Sequence, residues 1–145
     1  DTYKAIDKLQ IFLDNYPDGE FSDNANTLIA ELQVKLEKKF FEISKKYYTI
    51  RDYKASINAF DSFISDFPGT PFKEEALYYK FLSNYELAIN SIFAKKEERL
   101  VEAKELGDSL LDYFPESLFL EDIEKKFKNI EKELTSFDQP TTNTK

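Results

Sequence analysis
One phrase is written three times in this chain. Phe12-Leu13-Asp14-Asn15-Tyr16-Pro17 returns as Phe63-Ile64-Ser65-Asp66-Phe67-Pro68, and again as Leu110-Leu111-Asp112-Tyr113-Phe114-Pro115. The prolines stand 51 and 47 residues apart, and each is followed by an aromatic residue four positions on (Phe21, Phe72, Phe119) and an apolar one eight positions on (Ala25, Ala76, Ile123). Self-similarity at a nearly fixed period marks helical units that cannot bury their apolar faces alone and must stack on their neighbours. Stacked units of this kind work chiefly as binding surfaces, which lowers the expectation of an active site from the start.

Apolar spacing fills in the units. Ile6, Leu9 and Leu13 predict a helix over about 2–15 that stops at Tyr16-Pro17, because the residue before a proline is pushed out of the α region. Leu28, Leu32, Leu36, Phe40, Ile43 and Tyr47 predict a long helix over about 20–49, and a short turn at Ile50-Arg51-Asp52 leads to its partner carrying Tyr53, Ile57, Phe60 and Ile64. Leu77, Phe81, Tyr85, Ala88 and Ile92 predict a helix over 72–93, opened by Thr70 as N-cap and Pro71 at the first helical position. Gly19 and Ser117, like Thr70, lie two past a proline and suit the same capping role. Lys95-Lys96-Glu97-Glu98-Arg99 reads as a solvated turn and first helical turn before Leu100, Ala103, Leu106, Leu110 and Leu111. A last helix over 118–134, with Phe119, Ile123, Phe127, Ile130 and Leu134 on one side, has the single wet face of a terminal cap.

The expected fold is therefore all-α, an antiparallel helix-pair solenoid of tetratricopeptide type with roughly two and a half repeats. Its domain spans 1–135, with units of about 1–17, 19–68 and 70–115 and a capping helix at 118–134. The polar stretch 136–145 is expected to be disordered. The period exceeds the usual length of about 34 residues, and the excess is expected in long first helices, between Ala25 and Tyr48 and between Ala76 and Phe93. Residue 1 already lies inside a repeat, so the stretch reads as a piece of a longer protein.

Composition removes several chemistries. The chain has no histidine and no cysteine, which rules out Ser-His and Cys-His nucleophile systems and thiolate metal sites. Gly19, Gly69 and Gly107 stand alone, so no phosphate-cradling loop is present. Glu74-Glu75 and Glu97-Glu98 are adjacent acids, but neighbours on a helix point about 100° apart and do not converge on one atom. No cofactor, metal or catalytic residue is expected, and the reading is not an enzyme. A net charge of −8 repels phosphate backbones, so nucleic acid is not an expected partner. No run of apolar residues is long enough to span a bilayer as a helix.

Partner contacts are the remaining possibility. Tyr47, Tyr48, Tyr78, Tyr79 and Tyr85 lie on first helices, and of each adjacent pair at most one can point fully into the core. Each ring either fills a seam between helices or meets a partner, since tyrosine is large, stiff and amphipathic. Arg51, next to Asp52 in the turn, carries a planar guanidinium that can grip a carboxylate with two hydrogen bonds. A solvated turn arginine, or one bound to Asp52 or a helix C-terminal carbonyl, is the alternative, and spacing alone favours it. Lys45, Lys46 and Lys80 could form a basic clamp for a peptide carboxylate, as in a cytosolic co-chaperone, although the acidic chain argues against that.

An ordered series of strings narrows the choice. Leu36-Glu37-Lys38-Lys39-Phe40, Tyr47-Tyr48-Thr49-Ile50-Arg51-Asp52-Tyr53, Phe67-Pro68-Gly69-Thr70, Lys73-Glu74-Glu75-Ala76-Leu77, Tyr85-Glu86-Leu87-Ala88 and Lys95-Lys96-Glu97-Glu98-Arg99 together resemble the later repeats of the BamD (YfiO) family. These are tetratricopeptide lipoproteins of the machinery that assembles β-barrel proteins in the outer membrane, and the resemblance reaches about Leu134. It implies a non-catalytic scaffold of the BAM complex that docks on BamA POTRA domains and aids insertion, with Arg51 at a family docking position. Other BAM subunits and unfolded outer-membrane proteins are the further implied partners. The implied location is the periplasmic face of the outer membrane, held by a lipid anchor that this stretch does not include. A periplasmic adaptor of the CpoB/YbgF kind, serving cell-wall or Tol machinery, has similar Tyr-Pro turns and is the rival reading.

Overall fold
A computed structural model describes residues 1–138. It contains six helices and, among the described residues, no strand: α1 Thr2–Asn15, α2 Ser22–Thr49, α3 Tyr53–Asp66, α4 Lys73–Ile89, α5 Phe93–Tyr113 and α6 Leu120–Thr135. Each helix packs on the next in the chain, and α2 also touches α4, as a tetratricopeptide-like solenoid requires. The architecture expected from the sequence is the one observed.

The repeated phrase folds the same way each time. Tyr16, Phe67 and Phe114, each just before a proline, end α1, α3 and α5 with φ of −134°, −127° and −130°. Two consecutive turns follow: Gly19, Thr70 and Ser117 donate their N–H to Tyr16, Phe67 and Phe114, and their own carbonyls then accept from Ser22, Lys73 and Leu120. The helices thus begin three residues later than the caps expected at Gly19, Thr70 and Ser117, and Pro71 lies in the turn rather than at a first helical position. The hydroxyls still act locally. Thr70 Oγ1 accepts from the Phe72 N–H at 3.2 Å, and Ser117 Oγ from that of Phe119 at 3.1 Å.

Two other boundaries differ from expectation. The helix over 72–93 is broken at Asn90-Ser91, so Ile92 and Phe93 belong to the start of α5, and Lys95–Arg99 lies within that helix. Side chains hold the break: Ser91 Oγ donates to Leu87 O at 2.5 Å and accepts from Arg99 Nη1 at 2.6 Å. In consequence α4 has 17 residues and α5 has 21, so in this unit the extra length sits in the second helix, whereas α2, with 28 residues, is long as expected. Within the 136–145 stretch, Ser136–Asp138 is described as a turn, with Phe137 stacked on Phe93 at 4.7 Å. Residues 139–145 lie outside the described residues.

Burial follows the repeat. The apolar residue eight past each proline (Ala25, Ala76, Ile123) is buried in all three units. Small residues set the helix spacing. Ser56 and Ala103, each twelve before its proline, are fully buried with Ala76, Ala88 and Ser83. The Ser56 and Ser83 hydroxyls meet at 2.7 Å between α3 and α4. Ser83 spends its proton on Tyr79 O, so Ser56 is the donor. Two of the three aromatics four past a proline cover the preceding first helix: Phe72 stacks on Phe41 of α2 and Phe119 on Tyr78 of α4, at 5.4 and 3.9 Å. Phe21 is 60% exposed. Glu74 anchors α4 to the last junction, its Oε1 accepting from Ser117 Oγ at 2.7 Å and from the Leu118 N–H at 3.0 Å.

Gly107 marks the closest approach. A Cβ there would lie 2.3 Å from Phe127 Cε1 and 3.1 Å from Phe81 Cε2. Gly107→Val, which adds branched carbon against both rings and gains little helix propensity, is expected to cost about 2 kcal/mol in urea unfolding. An unchanged unfolding midpoint would show that α5 does not pack this tightly.

Candidate functional site
The turn joining α2 to α3 is built from backbone hydrogen bonds. The Arg51 N–H donates to Tyr48 O and the Asp52 N–H to Tyr47 O, both at 2.9 Å, satisfying carbonyls that the end of α2 would otherwise leave unpaired. That pattern requires a left-handed residue just past the helix, and Arg51 supplies it with φ 64°; among the described residues no other non-glycine has positive φ. Glycine is the usual occupant, because a Cβ in this conformation costs about 1 kcal/mol or more. Asp52 then caps α3, its Oδ1 accepting from the Ala55 N–H at 3.2 Å. The Arg51 side chain is exposed and, among the described residues, makes no ion pair.

Arg51 stands on the rim of an open cleft of about 610 Å³ lined by Tyr48, Thr49, Tyr53, Glu86 and Asn90. Tyr48 forms a wedge beneath it, 5.8 Å from Tyr53 of α3 and 5.4 Å from Tyr79 of α4 between ring centres. Burial, reinforced by the nearby Glu86 carboxylate, raises the Tyr48 phenol above its ordinary range, so the ring stays neutral. Glu86 also lines a second open cleft of about 580 Å³ between α4 and α6, so it borders both.

The tyrosines divide by role. Tyr47 is exposed, pointing away from half-buried Tyr48 as adjacent helical residues should. In the second pair Tyr78 and Tyr79 are both half-buried, and neither points fully into the core. Helix α4 is flanked on both sides, so two directions 100° apart each meet a neighbour. Tyr79 lies flat on Phe60 of α3, with Lys45 Nζ 5.0 Å from its centre, while Tyr78 faces α6 and hydrogen-bonds Asp122. Tyr85 Oη accepts from Asn129 Nδ2 of α6 at 2.6 Å. Arg51 and Tyr48 thus share one cleft and Tyr85 lines the next. Asp52 serves the turn, Tyr78 and Tyr79 fill seams, and Tyr47 stands apart. Lys80, considered as part of a basic clamp, is paired with Asp61 at 2.5 Å.

Sequence reading missed Glu86 and Asn90 in the first cleft, and the lysines of α6 in the second. Four lysines fall between 125 and 132, and in the sequence they read as the wet face of a capping helix. Their spacing was the available signal, but what lies opposite was not readable.

At the floor of the second cleft Asp122 joins α6 to α4. Burial opposes its ionisation, but Lys126 Nζ at 2.7 Å and the Tyr78 hydroxyl outweigh that and hold the carboxyl below the usual carboxylate range. Tyr78 is correspondingly pushed up by its burial and by that hydrogen bond. A group with a depressed native pKa stabilises the fold fully above its unfolded value, about pH 4, and this is lost as pH falls through the native value. Stability measured by urea unfolding should therefore fall more steeply below about pH 4 in the natural chain than in Asp122→Asn. Parallel profiles would contradict the assignment.

A search of curated proteins finds no match. A family model described as "YfiO: Outer membrane lipoprotein" matches over residues 1–100 and again over 36–144, together covering nearly the whole chain. Helix pairs stacked in series and a match of that extent agree: this chain belongs to the YfiO family of outer membrane lipoproteins.

Proposed function
We propose that the chain is a non-catalytic scaffold subunit of the outer-membrane β-barrel assembly complex, docking on BamA POTRA domains through the α2–α3 turn at the periplasmic face of the outer membrane. A rigid stack of helices would hold a POTRA domain in a fixed orientation while barrel substrates and other BAM subunits engage elsewhere. Membership of an outer membrane lipoprotein family supports the location. It also favours this reading over a cell-wall or Tol adaptor.

One observation carries the docking surface. A strained left-handed position that glycine would fill at lower cost is held by an arginine whose guanidinium has no ion pair among the described residues. Strain retained at an exposed turn is a pointer to function, because the fold gains nothing from the side chain. The guanidinium, exposed and sharing the cleft with Tyr48, suits a carboxylate presented by a partner domain.

Stability and binding should separate at this residue. Arg51→Gly is expected to change unfolding free energy by no more than about 1 kcal/mol. In the full-length protein it should weaken affinity for the purified POTRA array by about tenfold or more, with Arg51→Glu weaker still. Affinity unchanged within error in both variants would remove Arg51 from the docking surface.

A further inference from the structure
The second cleft carries a feature that the docking proposal does not use. Between 125 and 132 helix α6 has four lysines and one glutamate, in a chain of net charge −8. Lys126 is held by Asp122 at 2.7 Å and lies 5.6 Å from the Tyr85 ring centre, so its charge is committed. Lys125, Lys128 and Lys132 are different. They are exposed, they line the cleft, and among the described residues none makes an ion pair. At i, i+3 and i+7 they share one face of the helix and form a row about 10 Å long.

We infer that this row, facing α4 across the cleft, is a binding site for an extended acidic peptide segment of a partner protein. Charge complementarity gives the sign of the ligand, and the rest of the cleft gives its class. Tyr85 Oη accepts from Asn129 Nδ2, which leaves the Tyr85 proton as a donor and the Asn129 side-chain oxygen as an acceptor, neither with a partner among the described residues. A donor and an acceptor side by side match the carbonyl and N–H of a peptide backbone. A phosphodiester has no proton to donate to the Asn129 oxygen. Glu86 on the opposite wall repels a ligand that is anionic all round, such as nucleic acid, but tolerates a strand whose carboxylates alternate and point toward α6. A flat anionic bilayer could not enter a cleft between two helices, and the charge of −8 would repel it. The site is separate from Arg51 in its contacts, so it stands or falls independently of the docking turn.

The test uses the complete chain and a fluorescent peptide with glutamate at alternate positions, followed by anisotropy, beside a counterpart with glutamine in place of glutamate. The glutamate peptide should bind, the glutamine peptide should not, and added salt should weaken the complex. The combined variant Lys125→Gln, Lys128→Gln, Lys132→Gln, with helix content checked by circular dichroism, should lose about tenfold or more in affinity. Arg51→Gly should bind the peptide as the natural chain does, which separates this site from the docking proposal. Equal binding of the two peptides, or unchanged affinity in the triple variant, would overturn the inference. So would displacement by inorganic phosphate beyond that caused by chloride of equal ionic strength, binding to phosphatidylglycerol vesicles without peptide binding, or loss of the signal through self-association.

Discussion
Close approach of helices at small residues is the constraint on which the rest depends. Ser56, Ser83, Ala76, Ala88 and Ala103 are fully buried between helices, and Gly107 leaves room for the rings of Phe127 and Phe81, while Phe60, Leu100 and Leu110 fill the core around them. A large residue at one of these positions would separate the helices, and the loss would extend along the stack because each helix is the wall of the next seam. Helix α4 bears most of this. It has neighbours on both sides, a buried hydroxyl pair to α3, a carboxylate anchor to the last junction through Glu74, and aromatic or polar contacts to α6 through Tyr78, Phe81 and Tyr85.

That rigidity is what makes the exposed groups useful. Arg51, Lys125, Lys128 and Lys132 make no ion pair among the described residues, yet each sits on a backbone fixed by hydrogen bonds or by a packed helix face. Glu86 borders both clefts. Arg51 at one and the lysines at the other set positive charge beside it, giving two places where carboxylates of a partner could be received.

Much of this could be read from the residues, and the failures have physical causes. The thrice-repeated phrase located three helix ends, because proline dictates the conformation of the residue before it whatever the surroundings. The α4–α5 junction escaped because Ile89, Ile92 and Phe93 continue an apolar rhythm and the turn has neither Gly nor Pro; its stop is made by Ser91 bonding to Arg99, a contact eight residues long. Tyr78 and Tyr79 are both half-buried because α4 has neighbours on two sides, which adjacent-residue geometry does not reveal. The turn at Arg51 was located correctly, but its left-handed backbone was hidden by the side chain, since glycine is the usual sign of that conformation. The lysine row was visible as spacing alone, and acquires meaning from Tyr85, Glu86 and Asn129, which only folding brings together with it.

The central claim is that a rigid stack presents Arg51 from a fixed turn, and native-state hydrogen exchange tests it most directly. The amides of Arg51 and Asp52, bonded to Tyr48 O and Tyr47 O, should be protected to nearly the same degree as the α4 amides, while those of α1, which packs chiefly on α2, should exchange through local opening at lower free energy. Free-peptide exchange at Arg51 and Asp52 while α4 stays protected would mean the turn is not fixed, and the account of the site would fail.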